Sequence, residues 1–201
     1  MPITVKELFK AVGLNIDGQV KWGARIPCSS SGVYVASLSD NPDEATLACL
    51  KSAPIDVLEI KNWMEAVPKL LLDGNKPHEE NIRERLSRFW LPDENIVYIG
   101  KARQPLNKRV NAYYNTSLGK SGPHRGGFWI KTLSNLSELT IFWSPTTEPE
   151  IKEGQMLEFF IRNVSVESMG RLFDPSHPFP FANLEYPKGK KKKHGIKYAS
   201  I

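Results

Sequence analysis

The amino-acid sequence predicts an α/β chain of the α+β kind. A small three-stranded, mostly antiparallel sheet is flanked by helices, with a helical insertion between its first two strands. Three observations predict it. Residues 33–38, 96–99 and 139–143 are short runs of β-branched, aromatic and other apolar residues, the composition of buried strands. Residues 106–114 and 148–161 repeat their apolar positions at three- and four-residue steps, the period of a helix. Residues 40–95 between the first two strands read mostly as helix.

The totals are compatible with that fold. The 201 residues suit one domain with an appendage and bury a proper core without staples. Hydrophobic content of 40% is ordinary for a globular chain. No apolar run approaches the roughly 20 residues a membrane span needs. Met1 to Glu7 lacks the basic and apolar regions of a secretory signal. Cys28 and Cys49, far apart in sequence, read as reduced, buried thiols, so a cytoplasmic protein is expected. A zinc site would need more ligands at shorter spacing. The net charge of +5 and a pI near 9.1 favour a polyanionic partner, though much of the excess sits in one lysine run.

In chain order, residues 3–14 predict a short packing helix. Thr4 is its N-cap with Glu7 three residues on, and Gly13 is its stop. A basic turn with Lys21, Trp22 and Arg25 follows, then the strand holding Tyr34. Helices are expected from about 43 to 51, from 55 to 72 with a break near Pro68, and from 76 to 90. The last carries Arg83, Arg85 and Arg88 on its polar side, either a solvated face or a grip on nucleic acid. Residues 96–99 form the central strand, closed by Gly100. A helix from Leu106 places Leu106, Arg109, Val110, Tyr113 and Tyr114 on one side. The glycine-rich stretch 115–127 lacks the spacing of a phosphate-binding P-loop. The strand at 139–143 and the helix at 148–161, with Pro149 near its start, complete the core. Division into an extension 1–27, a domain 28–187 with the insertion 40–95, and a basic tail 188–201 follows.

Tyr98 at the strand end, Lys101, and Arg109 with Tyr113 on the next helix are expected to reach one region. A phenol, an ammonium and a guanidinium there suit a substrate bearing negatively charged oxygens. The motifs Gly32-Val33-Tyr34 and Tyr98-Ile99-Gly100 resemble those that name the GIY-YIG nuclease superfamily. The run from Tyr98 through Lys101 and Arg109 to Tyr113 is similar to the nuclease domain of the bacterial excision-repair incision subunit. It is also found in restriction and homing endonucleases. The resemblance covers residues 32–34 and 97–183; it does not cover 1–26 or 40–95. Sixty-four positions separate Tyr34 from Tyr98, far more than in the compact members, where the motifs share a hairpin. Such separations occur in the restriction branch.

The resemblance implies a metal-dependent DNA endonuclease, of restriction or host-defence type, acting with Mg²⁺ or Mn²⁺. It implies catalytic roles for Tyr34, Tyr98, Lys101, Arg109, Tyr113, Glu153 and Asn183. His124 belongs with them, because restriction-type members carry a His after the Arg helix. Glu153 borders the buried side of its helix one turn before Leu157. It also matches the family's Glu-x-x-apolar-apolar pattern, in which the Glu holds the metal, whereas Glu150 and Glu158 read as solvated. Asn183 resembles the Asn that closes the family core, though it follows Glu153 by 30 positions. The expected DNA contacts are Lys101, Arg103, Lys108, Arg109 and Arg125, with Lys190, Lys191, Lys192 and Lys193 of the tail; the tail also reads as a plain solvated run. Tyr98 is the expected general base with Tyr34 in support, its pKa lowered by Lys101, Arg109 and a metal. His124 is the rival base, its ordinary pKa being nearer neutrality. Two further readings are a repair or structure-specific nuclease and a non-catalytic nucleic-acid-binding module. DNA is the expected partner, a homodimer is open, and no membrane is involved.

Overall fold

A computed structural model describes residues 2–119, 125–186 and 189–198. Its elements are α1 (Val5–Ala11), β1 (Gly18–Lys21), β2 (Gly32–Ser37), α2 (Val57–Ala66), β3 (Leu70–Leu72), α3 (Glu79–Ser87), β4 (Ile96–Ala102) and α4 (Leu106–Asn115). There follow 3₁₀ turns at Arg125–Thr132 and Leu136–Glu138, then β5 (Thr140–Pro145), α5 (Pro149–Asn163), α6 (Val166–Arg171), β6 (Glu185–Tyr186), β7 (Lys190–Lys191) and β8 (Ile196–Tyr198).

The main sheet is antiparallel, in the order β1-β5-β2-β4. It has four strands, not three. The fourth, β1, reads Gly-Gln-Val-Lys and has no fully buried position, so it lacks the apolar signature of a strand. It exists because β5 offers an edge, and Gly18 lets it approach: a Cβ there would sit 2.4 Å from the Trp143 ring. The strand pair holding the two motifs is direct. Tyr34 lies opposite Gly100 and Val33 opposite Lys101, despite the long insertion between β2 and β4.

Strand alternation sorts the core into two layers. Val33, Val35, Ile99 and Phe142 face α1 and α5, packing on Leu8, Phe9, Met156, Leu157 and Phe160. Tyr34, Ala36, Tyr98 and Ala102 face the other way, with Leu106, Val110 and Tyr113 of α4 and the aromatics Phe89, Trp90 and Trp129. The first helix has its Thr4–Glu7 capping box, and Gly13 follows it at φ +71°.

The insertion is less helical than its sequence predicts. Residues 43–51 form turns, with Leu47 almost wholly exposed and Leu50 partly buried against the core. Residues 70–72 form a strand because Asp73 and Gly74, at φ 51° and 87°, turn the chain back on itself. That strand pairs with β8, bringing residues 189–198 onto the insertion. No helix among the described residues is long and apolar enough to cross a membrane.

Candidate active site

Three buried tyrosines meet on the α4 side of the sheet. The ring centroids of Tyr34 and Tyr98 are 5.8 Å apart, those of Tyr98 and Tyr113 5.4 Å, and those of Tyr34 and Tyr113 6.3 Å. β2 supplies the first, β4 the second and α4 the third. Glycines make the room. A Cβ on Gly100 would lie 2.6 Å from the Tyr98 ring and 2.7 Å from Cζ of Tyr34, and one on Gly127 2.5 Å from the Tyr113 hydroxyl. Tyr113 donates to the Gly127 carbonyl at 2.6 Å. The Tyr34 hydroxyl is sealed from solvent and has no well-formed hydrogen bond among the described residues. Tyr98 keeps 8% of its surface exposed, against none for the other two.

Lys101 lies elsewhere than the sequence suggests. Three residues along a strand reverse the face, so Lys101 points with Val33 toward α5, not with Tyr98 toward α4. There it pairs with Glu153 at 2.5 Å. Beside this pair, Arg103 forms an exposed ion pair with Glu150. Arg109 is half-buried on α4. Its charge acts on both sides, on Glu153 as well as on Tyr34, Tyr98 and Tyr113. Glu153 in turn acts on Tyr34 and Tyr98. The phenols and the acid thus form one electrostatic unit across the end of β4.

Burial decides the titration of this unit. It pushes Tyr34 up to about 12 against the pull of Arg109, and Tyr98 and Tyr113 well above the ordinary phenol range. The expectation of a lowered tyrosine pKa is therefore reversed in the protein alone: desolvation outweighs the cations. Burial also raises the Glu153 carboxyl, opposed by Lys101 first and then by Arg109 and Arg103.

Asn183 sits on the outer edge of β4. Its Oδ1 accepts from the Ile99 amide at 2.9 Å, and its Nδ2 donates to the Ile99 carbonyl at 2.8 Å. It imitates a neighbouring strand and holds the residue between Tyr98 and Gly100. Among the described residues its side-chain hydrogen bonds go to Ile99. His124 lies outside the described residues, as does the Arg125 side chain. Lys108, Lys190 and Lys193 are exposed; Lys191 pairs with Glu185 at 3.2 Å. Lys192 is the clear departure from the expected DNA contacts. It is buried, and its ammonium donates to the carbonyls of Pro180 and Phe181. The insertion arginines are also in use. Arg85 holds Asp73 at 2.6 Å, and Arg85 and Arg88 lie over the Phe173 ring.

Two contributors were missed. Trp22, read as part of a basic turn, packs edge-on against Tyr113 and Tyr114 at 5.2 and 4.9 Å. Lys131 donates to the carbonyls of Tyr114 and Thr116 and so caps the end of α4, burial pushing its ammonium down to about 8. The signal for it was a lone cation in the apolar run 128–133. No cluster of three or more His, Cys, Asp or Glu side chains able to hold a metal occurs among the described residues. No family model, curated protein or solved structure matches the chain.

Proposed function

We propose that this chain is a metal-dependent DNA endonuclease of the GIY-YIG type, of the restriction or host-defence kind. The observation that carries the reading is that the end of β4 is flanked by Tyr34, Tyr98 and Tyr113 on its α4 side and by the Lys101–Glu153 pair on its α5 side, with the charge of Arg109 acting on both. These residues come from four elements, β2, β4, α4 and α5, each a separate stretch of sequence. A core packing role does not call for a buried carboxylate and a guanidinium beside three phenols.

The donor set fits a hydrated divalent ion. Mg²⁺ keeps most of its waters and needs only one or two carboxylates, so Glu153 suffices. When bound by Glu153, Mg²⁺ or Mn²⁺ supplies charge neutralisation at the phosphoryl and leaving oxygens. Arg109 and Lys101 stabilise the negative charge that grows on the phosphate. Tyr98 takes the proton of the attacking water, being the one of the three residues that keeps any exposed surface; a bound metal would have to offset the burial that raises its phenol. Tyr34 supports it from behind, and Tyr113, committed to Gly127, fixes the ring packing.

Plasmid nicking with Mg²⁺ tests the reading. Glu153→Ala and Tyr98→Phe should each lower the rate by about 10²-fold or more. If both cut as well as wild type, the site is wrongly assigned. A rate that keeps rising with pH above neutrality marks the phenol as base, whereas a plateau above about 6.5 transfers the role to His124. Discrete fragments from long DNA support restriction; cutting only at damaged or branched DNA would make it a repair enzyme.

A further inference from the structure

The basic C-terminal segment holds an inward-facing lysine that bears on the candidate site. Lys192 is 4% exposed. Its Nζ donates to the Pro180 and Phe181 carbonyls, both at 2.9 Å, and lies 5.6 and 5.4 Å from the ring centroids of Phe89 and Trp129. Its backbone N–H donates to the Leu184 carbonyl at 2.9 Å. Lysine therefore ties both ends of the short loop 180–184.

That loop is the cover of β4. Ala182 donates its N–H to the Val97 carbonyl at 2.9 Å. Asn183 exchanges two hydrogen bonds with Ile99, and its own N–H donates to Pro180, the carbonyl that Lys192 also holds. On the far side of β4 from the loop lies β2. Tyr98 and Lys101 are thus presented by a strand held by β2 on one edge and by the 180–184 loop on the other. The segment bearing Lys192 is itself anchored. The Lys193 N–H donates to Asp174 at 2.8 Å, Arg85 donates to the His194 carbonyl at 2.8 Å, and β8 pairs with β3.

We propose that Lys192 is a positioning residue. Acting through the 180–184 loop and Asn183, it holds β4 in the attitude that presents Tyr98 and Lys101. Residues 189–198 are then an internal strap and not a DNA-binding arm. A buried carbonyl stripped of its donor is costly; without Lys192 the loop must shift to find water, and Asn183 shifts with it. The catalytic consequence rests on the nuclease reading; the clamp itself does not.

The test compares Lys192→Met, Lys192→Gln, Asn183→Ala, the Lys192→Met/Asn183→Ala double variant, and a Lys190→Ala/Lys191→Ala control in the full chain. Oligonucleotide cleavage, DNA affinity against salt, and hydrogen exchange of the Ile99 amide are measured. Lys192→Met should lower kcat about 10- to 100-fold, as a small misplacement of reacting groups does. KM and the salt dependence should stay within about twofold of wild type, because a buried side chain meets no phosphate. The Ile99 amide should exchange faster. Lys192→Gln, which keeps N–H donors, should recover part of the loss, and it carries the comparison if the Met variant does not fold. The double variant should be no worse than the worse single one, since both changes break one chain of contacts. The control should keep the salt dependence within about twofold of wild type, because an internal strap meets no phosphate; a control that loses affinity and flattens the salt dependence would restore the DNA-binding arm and overturn the proposal. The proposal is overturned if Lys192→Met keeps both kcat and Ile99 protection, if its loss lies in affinity and salt dependence, or if the two single effects multiply. Should the wild type cut no DNA, the nuclease reading falls, and the Ile99 exchange in the single and double variants still decides the strap.

Discussion

Gly100 is the residue where sequence motif and physics coincide. Its missing Cβ is what lets Tyr34 cross over β4 and meet Tyr98, with both rings under 3 Å from where a methyl would stand. Gly100→Ala should cost about 1–3 kcal/mol through overpacking and lower nicking activity, read as a drop in Tm together with rate; an unchanged Tm would show that the pair yields freely. Glu94 makes a second prediction at this scale. It is 2% exposed, one carboxylate oxygen has no hydrogen-bond partner among the described residues, and burial pushes it up to about 8. The folded chain thus holds this proton more tightly than the unfolded one. The stabilisation it brings is full in acid, below the ordinary carboxyl range, and is lost as pH rises toward 8. Glu94→Gln should flatten this loss: wild type falls behind the variant between about pH 5 and 8, by at most about 4 kcal/mol. Parallel Tm–pH curves would refute it.

At the scale of elements, the strand–turn–helix from Ile96 to Asn115 was legible because its signals were local. It combines a β-branched run, a glycine stop and apolar residues at helical spacing. The tyrosine trio was legible only through motif resemblance, since nothing in periodicity joins Tyr34 to Tyr98 across the insertion. What stayed hidden had non-local causes. β1 is made a strand by the edge of β5, β3 by a turn and by β8, and the tail lysines were divided by burial that spacing does not encode. The face of Lys101 was open to view, because strand alternation alone separates it from Tyr98. Arg85 shows how the insertion and the strap are joined: it grips Asp73, caps the His194 carbonyl and covers Phe173 at 4.0 Å. Arg83 pairs with Glu80 at the surface. Arg85→Ala should therefore cost about 2–3 kcal/mol and open residues 190–193 to trypsin, while Arg83→Ala should leave both stability and trypsin sensitivity near wild type. Equal protease sensitivity in the two variants would mean that the strap is held by β8 alone.

Across the whole molecule, the count of 27 lysines and arginines overstates what a polyanion would meet. Lys101 and Arg103 are matched by Glu153 and Glu150, Lys191 by Glu185, Arg85 by Asp73, and Lys192 is spent inside. A cation already paired releases little on meeting a phosphate, because its partner must be displaced first. DNA affinity in the nuclease reading should therefore depend on salt far less steeply than the count of lysines and arginines implies. Lys108 is the informative position: it is exposed on α4, one residue before Arg109, and enters no ion pair among the described residues. Lys108→Ala should lower the slope of log K against log salt by about one, the worth of a single phosphate contact, and leave kcat at saturating DNA unchanged. Arg103→Ala should lower the slope by clearly less, since Glu150 screens that guanidinium in the free protein. Equal slopes for wild type and Lys108→Ala would mean that DNA does not approach along α4, and would remove the helix carrying Arg109 from the binding face.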